Sequence, residues 1–207
     1  MKPIWLTIGV AVLMLSSFPS TASADHEGKF QLFGTARKAQ APANPHNRVI
    51  SVDTSATDFG GAVRPLNVKI HQLDGYLAVN YFFVAPKSCN LGSPRIQLAV
   101  DTDGSGTSNG NAFGYIGPFP NFTGCASESW QLENLTDRQL RWDLTQFGGA
   151  FYNTWDEVEA FFAAFPAHVV LRGALVEDPG ASSGRTFYDN VVIGNWMLRD
   201  ASDSTGD

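Results

Sequence analysis

Residues 95–101, RIQLAVD, do most to constrain the fold, because Ile96, Leu98 and Val100 alternate with Gln97 and Ala99. That period of two belongs to a strand with one buried face. The strand runs directly into an acidic, glycine-rich loop in which Asp101, Asp103 and Ser105 offer a side-chain oxygen at every second residue. Gly104, Gly106 and Gly110 let such a loop turn. Hard cations of the calcium type take six to eight oxygen ligands, so the spacing predicts a structural calcium site at Asp101, Asp103 and Ser105. Counted from Asp101, Gly106 occupies the sixth position of an EF-hand loop, but the twelfth is Ala112 rather than a bidentate Glu. A complete EF-hand is therefore excluded.

The remaining apolar runs are short and separated by Gly and Pro. Strands are expected near 30–35, 48–53, 130–135, 140–144, 168–176 and 185–196. Segments 68–73 and 76–84 flank Asp74-Gly75, a pair suited to a type I′ turn, and are expected to form a hairpin. The stretch after residue 35, rich in Ala, Pro and Asn, is expected to be a loop, Asp58-Phe59-Gly60-Gly61 a break, and 112–124 an irregular crossover. One helix is expected: Thr154 and Glu157 form a capping box, Trp155, Val158, Phe161, Phe162 and Phe165 recur at helical spacing, and Pro166 ends the pattern. Many short strands with one late helix predict a mainly β chain, an antiparallel sandwich.

The first 24 residues carry a basic Lys2, an apolar core from Ile4 to Leu15 and a small-residue Ala22-Ser23-Ala24 site, the pattern of a secretory signal peptide. The expected organisation is a leader over 1–24, one domain over 25–199 and a disordered acidic tail over 200–207. Residue 25 onward holds no apolar run long enough to insert in a bilayer, and the expected location is extracellular or periplasmic. In an oxidising compartment Cys89 and Cys125 are expected to pair, a bridge worth roughly 4 kcal/mol in the chain-entropy model. The formal charge is −6, and −7 without Lys2, which argues against nucleic acid as a partner. Asn121-Phe122-Thr123 and Asn134-Leu135-Thr136 are glycosylation sequons.

An apolar strand entering DTDGSG, the capped helix TWDEVEAFF and a terminal FYDNVVIG together resemble the jelly-roll sandwiches of secreted carbohydrate-binding modules over roughly residues 95–194. The DTDG and TWDEVEAFF stretches also resemble those of uncharacterised secreted bacterial proteins. The resemblance implies a jelly-roll β-sandwich, a polysaccharide or envelope component as ligand, and Asp189 as a further calcium ligand. By period-two counting Asp189 shares a strand face with Phe187, Val191 and Ile193, an apolar setting in which a carboxylate needs a cation, an Arg or several donors.

Trp130, Trp142, Tyr152 and Trp196 are candidate sugar-stacking rings, each competing with a role in the core. Glu128, Glu133 and Asp143 are the acids from which a hydrolase pair would come, but the chain has no GxSxG, HExxH or P-loop. His26, His46, His71 and His168 are scattered without ligand spacing, so no zinc site is expected. The leading expectation is a secreted, non-catalytic binding domain. A secreted hydrolase and a structural or protein-interaction domain are the alternatives, and neither the ligand nor the oligomeric state is legible.

Overall fold

A computed structural model describes residues 30–195, with the backbone of 197–198 and 204–205. The expected leader, Trp196 and most of the 200–207 tail lie outside the described residues. In chain order the strands are β1 Phe30–Gly34, β2 Arg37–Ala41, β3 Asn44–Thr54, β4 Gly60–Lys69, β5 Leu77–Phe83, β6 Arg95–Asp101 and β7 Gly110–Tyr115. They continue with β8 Gln131–Asn134, β9 Trp142–Asp143, helix α1 Trp155–Phe162, β10 Val169–Glu177, β11 Gly184–Ile193, β12 Met197–Leu198 and β13 Ser204–Thr205.

These strands form a β-sandwich. One sheet has seven strands in the order β13-β1-β4-β10-β6-β7-β9, and the other runs β2-β3-β11-β5-β8, with β12 pairing off β11. The ladders are antiparallel except the one between β1 and β13. From β3 to β6 the chain alternates between sheets, the wrapping expected of a jelly roll. As its alternation predicts, β6 lies inside the larger sheet, and Ile96, Leu98 and Val100 are fully buried. They share one core with Leu77, Val79, Tyr81 and Phe83 of β5 and Tyr188, Val191 and Ile193 of β11.

α1 forms where its signals place it, with both halves of the Thr154–Glu157 capping box made and Trp155, Val158 and Phe162 buried. It packs through Trp155 on Trp142, with ring centroids 5.1 Å apart, and through Phe162 on Phe147 at 5.0 Å. Cys89 and Cys125 are bonded, with Cα atoms 5.3 Å apart, and the bridge encloses β6, β7 and the acidic loop between them. Among the described residues no helix is long and apolar enough to cross a membrane.

Four local expectations are corrected. Segments 68–73 and 76–84 are not a hairpin, because β4 and β5 lie in opposite sheets and 70–73 is a 3-10 turn. Asp74 has φ −58° and ψ 128° and Gly75 has φ 73°, which is a type II turn, closed by Tyr76 N–H donating to Leu73 C=O at 2.9 Å. An Asp-Gly pair satisfies either turn type, and only the type I′ form returns the strand on itself. Gly60-Gly61 opens β4 instead of breaking the chain: a Cβ on Gly61 would lie 1.9 Å from the Leu175 carbonyl oxygen, so glycine permits the close strand approach. The Ala, Pro and Asn stretch is a hairpin of β2 and β3, turning with Ala43 at φ 59°. Residues 110–115 are β7, paired with β6, so the expected crossover begins later. At the edge of the larger sheet Ser204–Thr205 pairs with β1.

A buried polar cluster ties the two sheets together. Lys87, Glu177 and Tyr188 are each at most 2% exposed. Lys87 Nζ forms an ion pair with Glu177 and donates to Thr54 Oγ1 at 2.7 Å and to the Gly184 carbonyl at 3.2 Å. Tyr188 donates to the other Glu177 oxygen at 2.5 Å. Burial first, and the Glu177 carboxylate second, push the Tyr188 phenol well above its ordinary pKa. Replacing one member of such a pair leaves the other charge buried alone. Glu177→Ala is therefore expected to lower stability by about 3–5 kcal/mol in chemical denaturation, with a smaller loss in Lys87→Met/Glu177→Leu than the two single variants sum to.

Candidate functional site

The site is made by a flaw in the regular alternation of β11. Thr186 and Tyr188 point into the core, so Phe187 and Asp189 face outward. Asn190 then takes φ 48°, and the pairing with β5 shifts between Asp189 and Val192. This β-bulge resets the period, and Val191 and Ile193 return to the core. The expectation that Phe187, Asp189, Val191 and Ile193 share one face is thus corrected: the first two lie on the outer face and the last two inside. Asp189 Oδ1 accepts the Asn190 N–H at 2.8 Å, stitching the bulge to the carboxylate.

Around Asp189 the outer face of the smaller sheet forms an open groove of about 440 Å³. Asn80 is the cross-strand partner of Asp189, and Asn47 of β3 donates its Nδ2–H to Asp189 Oδ2 at 3.1 Å. Trp130, just before β8, forms another wall, half-buried with its ring 5.6 Å from that of Phe82; Phe82 in turn meets Phe187 at 6.4 Å. The β2–β3 turn, Ala41 to Asn44, closes the remaining side. Carboxylate and amide groups beside an indole can accept, donate and stack at once, the combination that a polyhydroxylated ligand with apolar ring faces demands. Trp130 and Asp189, expected in unrelated roles, are neighbours here. Asn44, Asn47 and Asn80 were not singled out from the sequence, and only the pairing of β2, β3, β5 and β11 brings them together.

The acidic loop is separate, at the end of β6 in the larger sheet. Asp101 is buried; its Oδ1 accepts the N–H groups of Asp103 at 3.1 Å and Gly104 at 2.7 Å, and its Oδ2 accepts that of Gly106 at 2.7 Å. Asp103 accepts from Ser105 N–H at 2.9 Å and from Asn109 Nδ2 at 3.1 Å. Asp101, Asp103 and Ser105 are thus brought into one turn, in which both Asp101 carboxylate oxygens accept from backbone N–H groups. Asp189, assigned to calcium by resemblance, lies in the other sheet and is bonded to Asn47 instead.

Of the other aromatic candidates, Trp142 is fully buried and donates its indole N–H to the Leu135 carbonyl at 2.8 Å, a core role. Tyr152 is 42% exposed, with its hydroxyl on the Pro120 carbonyl at 3.1 Å and its ring edge-on to Phe119 and Phe151. The three acids considered for hydrolysis sit in local networks. Glu128 accepts the Ala85 N–H at 2.6 Å, Glu133 accepts from Tyr81, Gly117 and Arg141, and Asp143 accepts from Tyr115 and Thr145.

The Ser105 hydroxyl, the Ser105 backbone N–H and the Asn109 side chain, in that order, hold the Asp103 carboxyl down at about 2. A depressed folded-state pKa stabilises above the unfolded value, near 3.9, and that contribution is lost as pH falls toward 2. In Asp103→Asn the acid limb of the stability curve is expected to flatten between about pH 4 and 2, measured by denaturation without metal. No protein-family model matches this chain, and no curated protein matches it.

Proposed function

We propose that the protein is a secreted, non-catalytic binding domain whose ligand is a polysaccharide or another glycan-bearing envelope component, held in the groove between Trp130 and Asp189. The observation that carries this reading is the groove itself: one half-buried indole beside Asn47, Asn80 and Asp189 on an outward sheet face. Sugar hydroxyls would exchange hydrogen bonds with the Asp and Asn groups, while a pyranose face would lie on Trp130. The resemblance of the DTDGSG, TWDEVEAFF and FYDNVVIG stretches to carbohydrate-binding modules supports the same ligand class.

On this reading the acidic loop holds a structural calcium ion through Asp101, Asp103 and Ser105, away from the glycan. The ion would rigidify the connection between β6 and β7 and take no part in stacking. The leader-like residues 1–24 and the Cys89–Cys125 bridge support an oxidising, extracytoplasmic location.

Binding to a panel of cell-wall and extracellular polysaccharides, read by affinity electrophoresis, tests the groove. Trp130→Ala and Asp189→Ala are expected to weaken binding by roughly ten-fold or more, about 1.4 kcal/mol each, while Tyr152→Ala leaves it unchanged. Saturable binding that survives both groove variants would remove the site, and turnover of the glycan would replace binding with hydrolysis. Calcium at one hundred times its dissociation constant is expected to add about 2.7 kcal/mol to wild-type stability, and nothing to Asp101→Ala.

A further inference from the structure

The crossing from β4 to β5 meets the entry to β10, and there the fold joins two of the histidines that the sequence scatters. His71 lies in the 3-10 turn Ile70–Leu73, and His168 immediately precedes β10. Ile70 N–H donates to the His168 carbonyl at 3.2 Å, which holds the two backbones side by side. The imidazole centroids are 6.0 Å apart, with ring planes at 59°. Two imidazoles that share one ion, at metal–nitrogen distances of about 2.0–2.1 Å, place their centroids roughly 5–6.5 Å apart. The pair already stands at that separation.

His168 Nδ1 is sealed from solvent without a hydrogen-bond partner, which leaves Nε2 as the nitrogen its imidazole can offer an ion. His71 is exposed, so the pair opens to solvent on that side. We propose that His71 and His168 form a binding site for a single imidazole-preferring divalent ion, with copper(II) favoured over nickel(II) and zinc(II). Among the described residues no third His, Cys, Asp or Glu completes the set, so water fills the other positions. The site is therefore open and exchangeable, unlike a closed structural zinc centre. Its nitrogen donors also separate it chemically from the oxygen donors of the Asp101 loop. A bound ion would fasten the 70–73 turn to the start of β10, and so stabilise the native state.

The test is a titration of the disulfide-intact mature protein with copper(II) alone, by calorimetry, with nitrogen hyperfine structure in the electron paramagnetic resonance spectrum as a second readout. Wild type is expected to bind one equivalent that His71→Ala lacks, with two imidazole nitrogens on the ion. His46→Ala is expected to keep that equivalent. His168→Gln is the second probe, and should lose it as His71→Ala does. Equal stoichiometry and affinity in wild type and His71→Ala would overturn the proposal, as would the absence of saturable binding in wild type.

Discussion

The Lys87–Glu177–Tyr188 cluster is the constraint on which the arrangement of the sheets rests. Thr54 ends β3, Lys87 follows β5, Glu177 ends β10 and Tyr188 lies within β11, so one set of polar contacts joins both sheets at one end of the sandwich. Apolar burial is non-directional and tolerates a slipped strand, whereas an ammonium that needs all its acceptors does not. A second network repeats the device. Arg141, 1% exposed, bonds Glu133, Asp137 and the Tyr115 carbonyl, and Glu133 in turn accepts from Tyr81 of β5 and the Gly117 N–H. Burial of the apolar strand faces supplies the bulk of the driving force, and these charged groups select one register from those that burial alone would accept.

The two chemically distinctive surfaces follow from different parts of that frame. The acidic loop grows from the end of a central strand, where Asp101 is anchored by its own backbone neighbours and the geometry is local. The groove on the outer face of the smaller sheet is assembled from four separate strands and the segment before β8. Its amides and carboxylate are held by sheet register more than by contacts with one another, since the Asn47–Asp189 bond is one link among groups far apart in the chain. The resemblance over roughly residues 95–194 implies calcium at Asp189, and in the fold Asp189 lines the same groove as Trp130.

What was legible in the sequence shares this division. The alternation of β6, the capped helix, the disulfide and the sandwich class each depend on neighbours in the chain or on a general compartment rule. The turn at Asp74-Gly75 was misread because its residues suit two turn types, and the choice depends on which sheet receives β5. Gly60-Gly61 looked like a break because the carbonyl that excludes a Cβ comes from Leu175, more than a hundred residues away. β2 and the start of β3 escape a sequence reading because Arg37–Ala41 and residues 44–47 hold no β-branched or aromatic strand former. Asn44, Asn47 and Asn80 are ordinary surface amides until the strands pair.

The bulge at Asn190 gives β11 two reading frames, one before it and one after. Upstream, odd-numbered positions face solvent; downstream, odd-numbered positions are core. The outward residues Phe187 and Asp189 can change while Val191 and Ile193 keep filling the interior, so the outer face and the core draw on separate alphabets within a single strand. Straightening the strand here with every residue kept would merge the two frames, turning either the groove's carboxylate inward or the core's aliphatic groups into water. The small irregularity thus lets the outer face of the strand vary without disturbing the interior it shares a backbone with.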